Sequence, residues 1–359
     1  MGRKLKIAID CRMLGMSGIG FFLKSFLDYA LPRYSDIHFL LIASSRIEAY
    51  SHLNNVTVRL VEIPPFSVKE YFSFPVKDIN ACDVYFNPNY NIPSGIRIPI
   101  CSTIHDLLFW DVKDVSSLMG RWIRILAVKR AYRLSDLIFT VSEFSLSRIH
   151  KYLGHKQVVV TYNALRPITG YVHTSIPDKK YIVFVGNVKP HKGLKDLLMA
   201  YTTFGLYNNY DLVIVGSYQN FRTAYPEILQ YGQIDGISFT GQVPDETLLT
   251  LIGNAAMLVQ PSVYEGFGIP PMEALFLGVP VVLSDIPVFK EIYSAFPVTF
   301  FKCKNLKGLA DAIGRIRPYT EEEKKYIRDK ILSLYSPEAV SEPIIQALIK
   351  IYNESSTNR

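Results

Sequence analysis

Between Val259 and Glu291 the sequence packs strand, loop, helix and strand signals into one short run, and this constrains the fold more than any other part of the chain. Ala256–Gln260 reads as a short apolar strand that Pro261-Ser262 breaks. Glu265-Gly266-Phe267-Gly268 follows as a loop whose glycines permit positive φ and close backbone approach. Pro270 and Pro271 suit a first helical turn, where a missing N–H is no loss. A helix over Met272–Leu277 then stops at Gly278, and Val279–Leu283 reads as a second strand. Backbone amides and the positive helix end point into such a loop and favour an anion such as phosphate. Glu265 and Glu273 add acceptors suited to paired sugar or ribose hydroxyls. The plainer reading has Glu273 complementing the helix dipole and Glu265 solvated.

The same strand–loop–helix grammar recurs along the chain. Lys6–Asp10 reads as a buried strand, Gly15–Gly20 as a glycine loop, and Phe21–Leu31 as a helix packed on a sheet. Further strands are expected at His38–Ala43, Val56–Ile63, Asp83–Phe86, Ile98–Ile104, Leu137–Val141 and Val158–Thr161. After a linker at Pro167–Lys179, containing Gly170 and Pro177, they resume at Tyr181–Val185, Leu212–Gly216 and Ile237–Thr240. Strands alternating with helices imply doubly wound parallel sheets, with ligands at the carboxyl ends of the strands. That rule marks His105-Asp106 after one strand and Lys192 after another. A histidine so placed can donate a hydrogen bond to a sugar hydroxyl or titrate near neutral pH. A lysine at such a turn is a point charge for a diphosphate.

Composition narrows the class. At 359 residues, with 49% apolar and 20% charged residues, the chain supports two compact domains rather than a disordered array. Cys11, Cys82, Cys101 and Cys303 match no zinc or disulfide spacing, so buried thiols in a reducing compartment are expected. The N-terminus lacks the apolar run of a signal peptide, no stretch reaches the length of a spanning helix, and a cytoplasmic location is expected. A net charge of +7 admits anionic lipid, phosphorylated small molecules or nucleic acid, but no nucleic-acid-binding pattern is present. Over Ser116–Leu134, Arg121, Arg124, Lys129, Arg130 and Arg133 are interleaved with Trp122, Ile123, Ile125, Leu126 and Val128. Such a helix can lie on an anionic membrane; the more ordinary expectation is that its basic residues form the solvated side. The aromatic loop Pro64–Pro75 is a candidate acceptor or membrane contact.

The phrase Glu-Gly-Phe-Gly-Ile-Pro-Pro-Met-Glu-Ala-Leu, with Gly-Val-Pro-Val-Val after it, resembles the donor-site signature of retaining GT-B glycosyltransferases of the glycogen-synthase-like family 4. The resemblance spans almost the whole chain and is strongest over 181–291. It implies an α/β GT-B fold: an acceptor-binding Rossmann-like domain at 1–166, a donor-binding one at 167–336, a cleft between them, and a C-terminal helix at 337–359 crossing back. It implies a nucleotide-sugar as substrate, no cofactor and no metal, and a glycan or lipid-linked glycan acceptor in cell-surface polysaccharide synthesis. GDP-mannose, UDP-hexoses and dTDP-rhamnose all fit as donors.

Residue by residue, Thr-Ile-His-Asp-Leu resembles the family's acceptor-domain motif, which makes His105 a contact to the transferred sugar, with Asp106 in support. Gly-Asn-Val-Lys-Pro-His-Lys-Gly resembles the first donor-domain turn, which makes Lys192 the cation for the leaving diphosphate. Asn187 stands where many members carry arginine, and Lys189 or His191 are candidate replacements for that charge. Gly18 and Gly20, Gln242 and Val243, Phe267, Gly268, Ile269 and Glu273 complete the implied donor site, with Glu265 on the sugar. Asp245 is expected to cap the helix Glu246–Ile252. Competing readings are a GT-B epimerase or phosphorylase and a non-catalytic sugar-binding or scaffold protein. A nicotinamide dehydrogenase is disfavoured because no acidic ribose partner follows the glycine loop.

Overall fold

The computed structural model describes residues 4–113, 117–168, 180–217, 228 and 230–357. It divides into two units: one comprises 1–110, 117–166 and 334–359, the other 111–116 and 167–333. The expected linker positions Gly170 and Pro177 lie outside the described residues.

The first unit holds seven strands: β1 (Lys6–Asp10), β2 (His38–Ala43), β3 (Val56–Leu60), β4 (Val84–Asn87), β5 (Ile100–Thr103), β6 (Leu137–Thr140) and β7 (Val158–Val160). They form one sheet in the order β3-β2-β1-β4-β5-β6-β7, with every pairing parallel. The helices between them are α1 (Ser17–Arg33), α2 (Glu70–Ser73), α3 (Val76–Ile79), α4 (Leu108–Asp111), α5 (Leu118–Leu134) and α6 (Glu143–Leu153). Central strands β4, β5 and β6 are buried at every position, as expected when helices cover both faces of a parallel sheet. Ser142 caps α6 by accepting from the Ser145 amide, as its position before the helix predicts.

The second unit holds β8 (Tyr181–Val185), β9 (Asp211–Val215), β10 (Ile237–Gly241), β11 (Met257–Gln260), β12 (Val281–Ser284) and β13 (Thr299–Phe301). Their order is β10-β9-β8-β11-β12-β13, again all parallel. Its helices are α7 (Leu194–Thr203), α8 (Asp245–Gly253), α9 (Ile269–Phe276), α10 (Pro287–Tyr293), α11 (Leu306–Gly314) and α12 (Glu321–Tyr335). Leu197, Leu198 and Tyr201 of α7 pack with Leu309 and Ile313 of α11 over Ile182, Phe184 and Val259 of the sheet. The final helix, α13 (Pro337–Thr357), is part of the first unit, where Tyr29 and Tyr34 of α1 both donate to the Glu342 carboxylate, at 2.8 and 2.6 Å.

Three local expectations are corrected. Gly18 and Gly20 do not lie in a loop: α1 begins at Ser17 and takes both into its first turns. The glycine at position 20 has a packing reason, since a Cβ there would sit 2.2 Å from the Met13 carbonyl oxygen. Asp245 is not a cap either: Pro244 occupies that position and Asp245 is the first residue of α8. Proline is already extended, at φ −58° and ψ 155°, and Asp245 in the first turn still complements the helix dipole. On the first half of α5 the polarity is reversed from expectation, while further along Lys129 and Arg133 are exposed as expected. Leu118, Met119, Trp122, Ile123 and Leu126 are exposed, whereas Arg121, Arg124 and Arg130 are only partly so.

Among the described residues no helix is long and apolar enough to cross a membrane. All four cysteines are free, with Cys11, Cys82 and Cys101 buried.

Candidate active site

In the second unit, strand order reverses between β8 and β11, which pair directly. Loops leaving the carboxyl ends of two such strands diverge to opposite sides and open a crevice, the usual ligand position in this architecture. Lys192 leaves β8 through the 3-10 turn Pro190–Lys192, and Glu265 leaves β11 through the glycine loop. The structure joins them: Lys192 Nζ lies 2.8 Å from Glu265 Oε1 and 2.7 Å from Oε2. Glu265 is buried and Lys192 partly so, which removes the solvated-loop alternative for the carboxylate.

The pair is built into the fold from both sides. Gly193, at φ +70°, follows Lys192 and touches the end of β11 so closely that a Cβ would lie 2.0 Å from the Pro261 oxygen. The Val263 amide donates to the His191 carbonyl at 2.8 Å, stitching the two loops together. Ser262 Oγ donates to Glu265 Oε1 at 2.7 Å and accepts from Gln260 Nε2 at 3.0 Å. Ser284 Oγ in turn holds the Ser262 carbonyl. Reading the sequence as a break at Pro261-Ser262 missed this serine as a positioning residue. Its spacing of three from Glu265 was the available signal.

Beyond Glu265 the loop enters α9. Gly268, at φ +93°, precedes the helix, no side chain caps its amino end, and Pro270 and Pro271 fall in its first turn as predicted. The two prolines remove two amide donors, so an anion here meets fewer N–H groups than an all-amide turn would offer. Gly268 is gripped by α10: its carbonyl accepts from the Tyr293 hydroxyl, and a Cβ would lie 2.6 Å from the Phe289 ring. Phe267 is buried, Ile269 half-buried, and Glu273 has no exposed surface. Asn187 is exposed just past β8, while Gln242 and Val243 follow β10, two strands away from β8 in the sheet. The fold thus places Asn187, Lys192, Glu265, Phe267, Gly268, Ile269 and Glu273 on the elements that flank the reversal. His191 is buried, its Nδ1 meets no partner among the described residues, and burial lowers its pKa to about 4.

In the first unit the reversal falls between β1 and β4. Asp106 accepts from the Leu108 amide at 2.9 Å and so starts α4, a structural task. His105 follows β5. Its Nε2 lies 2.9 Å from the Pro88 carbonyl, a bond in which the ring must donate, and Phe22 of α1 meets the ring edge-on at 5.2 Å. Burial lowers its pKa to about 4. The expectation of titration near neutral pH is therefore corrected. The ring is neutral there, and with Nε2–H committed, Nδ1 is an acceptor rather than a donor. Gly18 is exposed and Gly20 buried on α1, the helix that carries Phe22.

The same unit contains a polar cluster with no strong sequence signal. Arg12 binds Asp10 through Nε at 2.9 Å and Nη2 at 2.6 Å, and Glu70 through Nη1 at 2.7 Å. Asn91 donates to the other Glu70 oxygen at 2.7 Å, and the Phe66 amide, at φ +63°, donates to Oε1 at 2.8 Å. Burial raises the Glu70 pKa against the pull of Arg12. The cluster anchors the 64–75 loop beneath the carboxyl ends of β1 and β4. Glu70 lies 58 positions beyond Arg12 and Asn91 another 21 beyond Glu70, so only the folded chain reveals the cluster.

The fold is that of a two-unit, parallel-sheet protein of the GT-B class. Residues 172–330, a little under half of the chain, match the family described as "Glycosyl transferases group 1". It is 27% identical over 230 residues to "O-antigen chain mannosyltransferase B" of Escherichia coli, covering 58% of each chain. It is 28% identical over 233 residues to "O-antigen chain mannosyltransferase RfbU" of Salmonella typhimurium, covering 60% of this chain and 63% of that one. The matches therefore span about three fifths of these relatives' length. Among solved structures, the sucrose-phosphate synthase of Thermosynechococcus elongatus superimposes with a TM-score of 0.78 at 16% identity, over 98% of this chain and 100% of that one. Anabaena Alr3699/HepE, in complex with UDP-glucose, gives 0.74 at 16% identity, over 96% and 100%. These likenesses concern the fold.

Proposed function

We propose that the protein transfers a hexose from a nucleotide-sugar to a hydroxyl of a glycan or lipid-linked glycan, with retention at the anomeric carbon and without a metal, at the cytoplasmic face of a membrane. The observation that carries this reading is the Lys192–Glu265 pair at the β8/β11 reversal, beside the uncapped amino end of α9. An ammonium has three hydrogens, and two can serve the Glu265 carboxylate while the third is left for a phosphate oxygen. In this reading Lys192 and the Phe267–Ile269 backbone stabilise the charge that grows on the departing diphosphate. Prepositioned groups of this kind usually supply the largest catalytic contribution. Glu265 accepts from sugar hydroxyls and Glu273 holds the nucleoside. His105 offers Nδ1 as an acceptor to a hydroxyl of the sugar.

The bond from the anomeric carbon to the diphosphate oxygen breaks, and the acceptor oxygen bonds to that carbon on the same face. The acceptor proton passes to the leaving phosphate, so no side chain acts as general base. The two relatives named above are mannosyltransferases, which puts GDP-mannose first among the donors, ahead of UDP-hexoses and dTDP-rhamnose. Thermal-shift titration with GDP, UDP, dTDP and ADP, followed by the matching sugars, tests the donor. Chromatography then distinguishes released nucleoside diphosphate plus a new glycoside from an isomerised donor or a sugar phosphate. Binding of none of the four nucleotides would end the proposal.

A further inference from the structure

We propose that the outer face of α5, together with the tip of the 64–75 loop, docks the protein onto the surface of an anionic phospholipid bilayer. This deepens the acceptor part of the reading above and rests on it only for what the bilayer carries; the surface itself stands on geometry.

Over its first two and a half turns α5 is packed with its polarity inverted. Arg121 turns inward, donating through Nε to the Phe109 carbonyl at 2.5 Å and through Nη2 to that of Trp110 at 3.2 Å. Arg124 stacks on the Phe109 ring at 4.8 Å. The cations thus serve the interior, and the apolar residues face out. Leu118, Met119, Trp122, Ile123 and Leu126 are 60–75% exposed. At 100° per residue they fall within one continuous sector of the helix. Single exposed hydrophobes are ordinary, but a contiguous stripe of five marks an interaction surface. One turn further on, the same sector carries Lys129 and Arg133, both exposed.

The 64–75 loop extends the surface. Phe72 is 83% exposed, and Val68 and Lys69 are also exposed. Arg130 of α5 ties the loop to the helix: it stacks on Tyr71 at 5.2 Å, donates to the Ile92 carbonyl, and reaches Ser94 Oγ at 3.2 Å. From below, the buried Arg12–Glu70 pair fixes the same loop. The loop that carries Phe72 is therefore held both to α5, through Tyr71, and to the sheet, through Glu70.

Charge selects the occupant. The helix Leu118–Leu134 carries Arg121, Arg124, Lys129, Arg130 and Arg133 and no Asp or Glu. Apolar side chains followed by cations, with no carboxylate, match the acyl boundary and anionic headgroups of a bilayer. The cationic rim is self-repelling against a second copy of the same face, which disfavours a symmetric dimer through it.

The chain has two tryptophans, Trp110 and Trp122, so Trp110→Phe leaves Trp122 as the sole indole reporter. The full chain is mixed with vesicles of phosphatidylcholine alone or with an equal part of phosphatidylglycerol. Co-sedimentation, indole emission and quenching by brominated lipid are followed. We expect binding to the anionic vesicles only, with a blue-shifted Trp122 that brominated lipid quenches. Each cation near such a surface contributes about fivefold in affinity, so Lys129→Glu with Arg133→Glu lowers partition at least about 25-fold. Trp122→Glu should lower it about tenfold or more, with thermal midpoint and nucleotide-induced shift unchanged in both variants. That last control separates failure of the surface from failure of the donor site. Protein that stays in the supernatant with unshifted emission overturns the proposal. So does a dimer in sedimentation velocity that Trp122→Glu dissolves.

Discussion

Replacing Gly193 by alanine should separate two costs that usually occur together. Gly193 sits at φ +70°, and its Cβ would lie 2.0 Å from the Pro261 oxygen and 2.7 Å from the Pro261 carbonyl carbon. Ordinary contact is about 3.5 Å, so the new methyl intrudes by about 1.5 Å on backbone that cannot rotate away. The left-handed conformation itself costs an alanine about 1–2 kcal/mol. Overpacking against rigid neighbours adds about 1–3 kcal/mol, for a total of about 2–5 kcal/mol. Gly15 supplies the control, because it has φ +75° and no atom within 4 Å of its would-be Cβ. Gly15→Ala should therefore show the conformational cost alone, about 1–2 kcal/mol. Calorimetry of the full chain reads both, at about 2–4 °C in midpoint per kcal/mol for units of this size. Because Pro261 leads into Ser262 and Glu265, Gly193→Ala should also weaken nucleotide binding below its melting temperature, whereas Gly15→Ala should not. Equal midpoint depressions in the two variants, with nucleotide binding intact in both, would refute the claim that this close approach assembles the site.

Three further outcomes are expected. Lys192→Ala should lower kcat by about 100- to 1000-fold, as loss of one prepositioned transition-state contact does, while Glu273→Ala should act mainly on nucleotide affinity; turnover equal to the parent protein in both contradicts the assignment. Arg12→Met leaves two buried carboxylates unpaired and should destabilise the protein by about 3–5 kcal/mol, whereas the triple change with Asp10→Asn and Glu70→Gln should recover much of it, as read by denaturant midpoints. His191, with its pKa lowered to about 4 from an ordinary 6.5, binds fewer protons folded than unfolded below pH 6.5, so its contribution to stability is intact above that pH and lost as pH falls toward 4. At pH 5 the loss is about 2 kcal/mol, so His191→Asn should lose roughly 4–8 °C less midpoint than the parent between pH 7 and pH 5; parallel pH profiles would contradict it.

Local signals carried the architecture. Alternating apolar runs and helical spacing announced parallel sheets, because a strand buried on both faces must be largely apolar; β4, β5, β6, β11 and β12 are buried at every position and keep their polar residues to their carboxyl ends. Glycine and proline placed the 259–291 run correctly for the same local reason: φ preference and a missing N–H act within a few residues. Position at strand ends is also legible in sequence, and it marks His105, Lys192 and Glu265.

Pairing and orientation were not legible, because they depend on which surfaces meet. Lys192 and Glu265 lie 73 positions apart and join only when β8 and β11 become neighbours. The tautomer of His105 follows from the Pro88 carbonyl, 17 positions away, and its low proton affinity from enclosure by the folded unit. Gly20 reads in sequence as a ligand-loop glycine, but its reason is the Met13 carbonyl, which leaves no room for a Cβ there. Helix α5 makes the point most directly. Its sequence states only that cations and apolar groups are interleaved, and a helix of mixed character can be mounted either way round. The carbonyls of Phe109 and Trp110 took Arg121 inward, the Phe109 ring took Arg124, and that tertiary choice left the apolar stripe facing out.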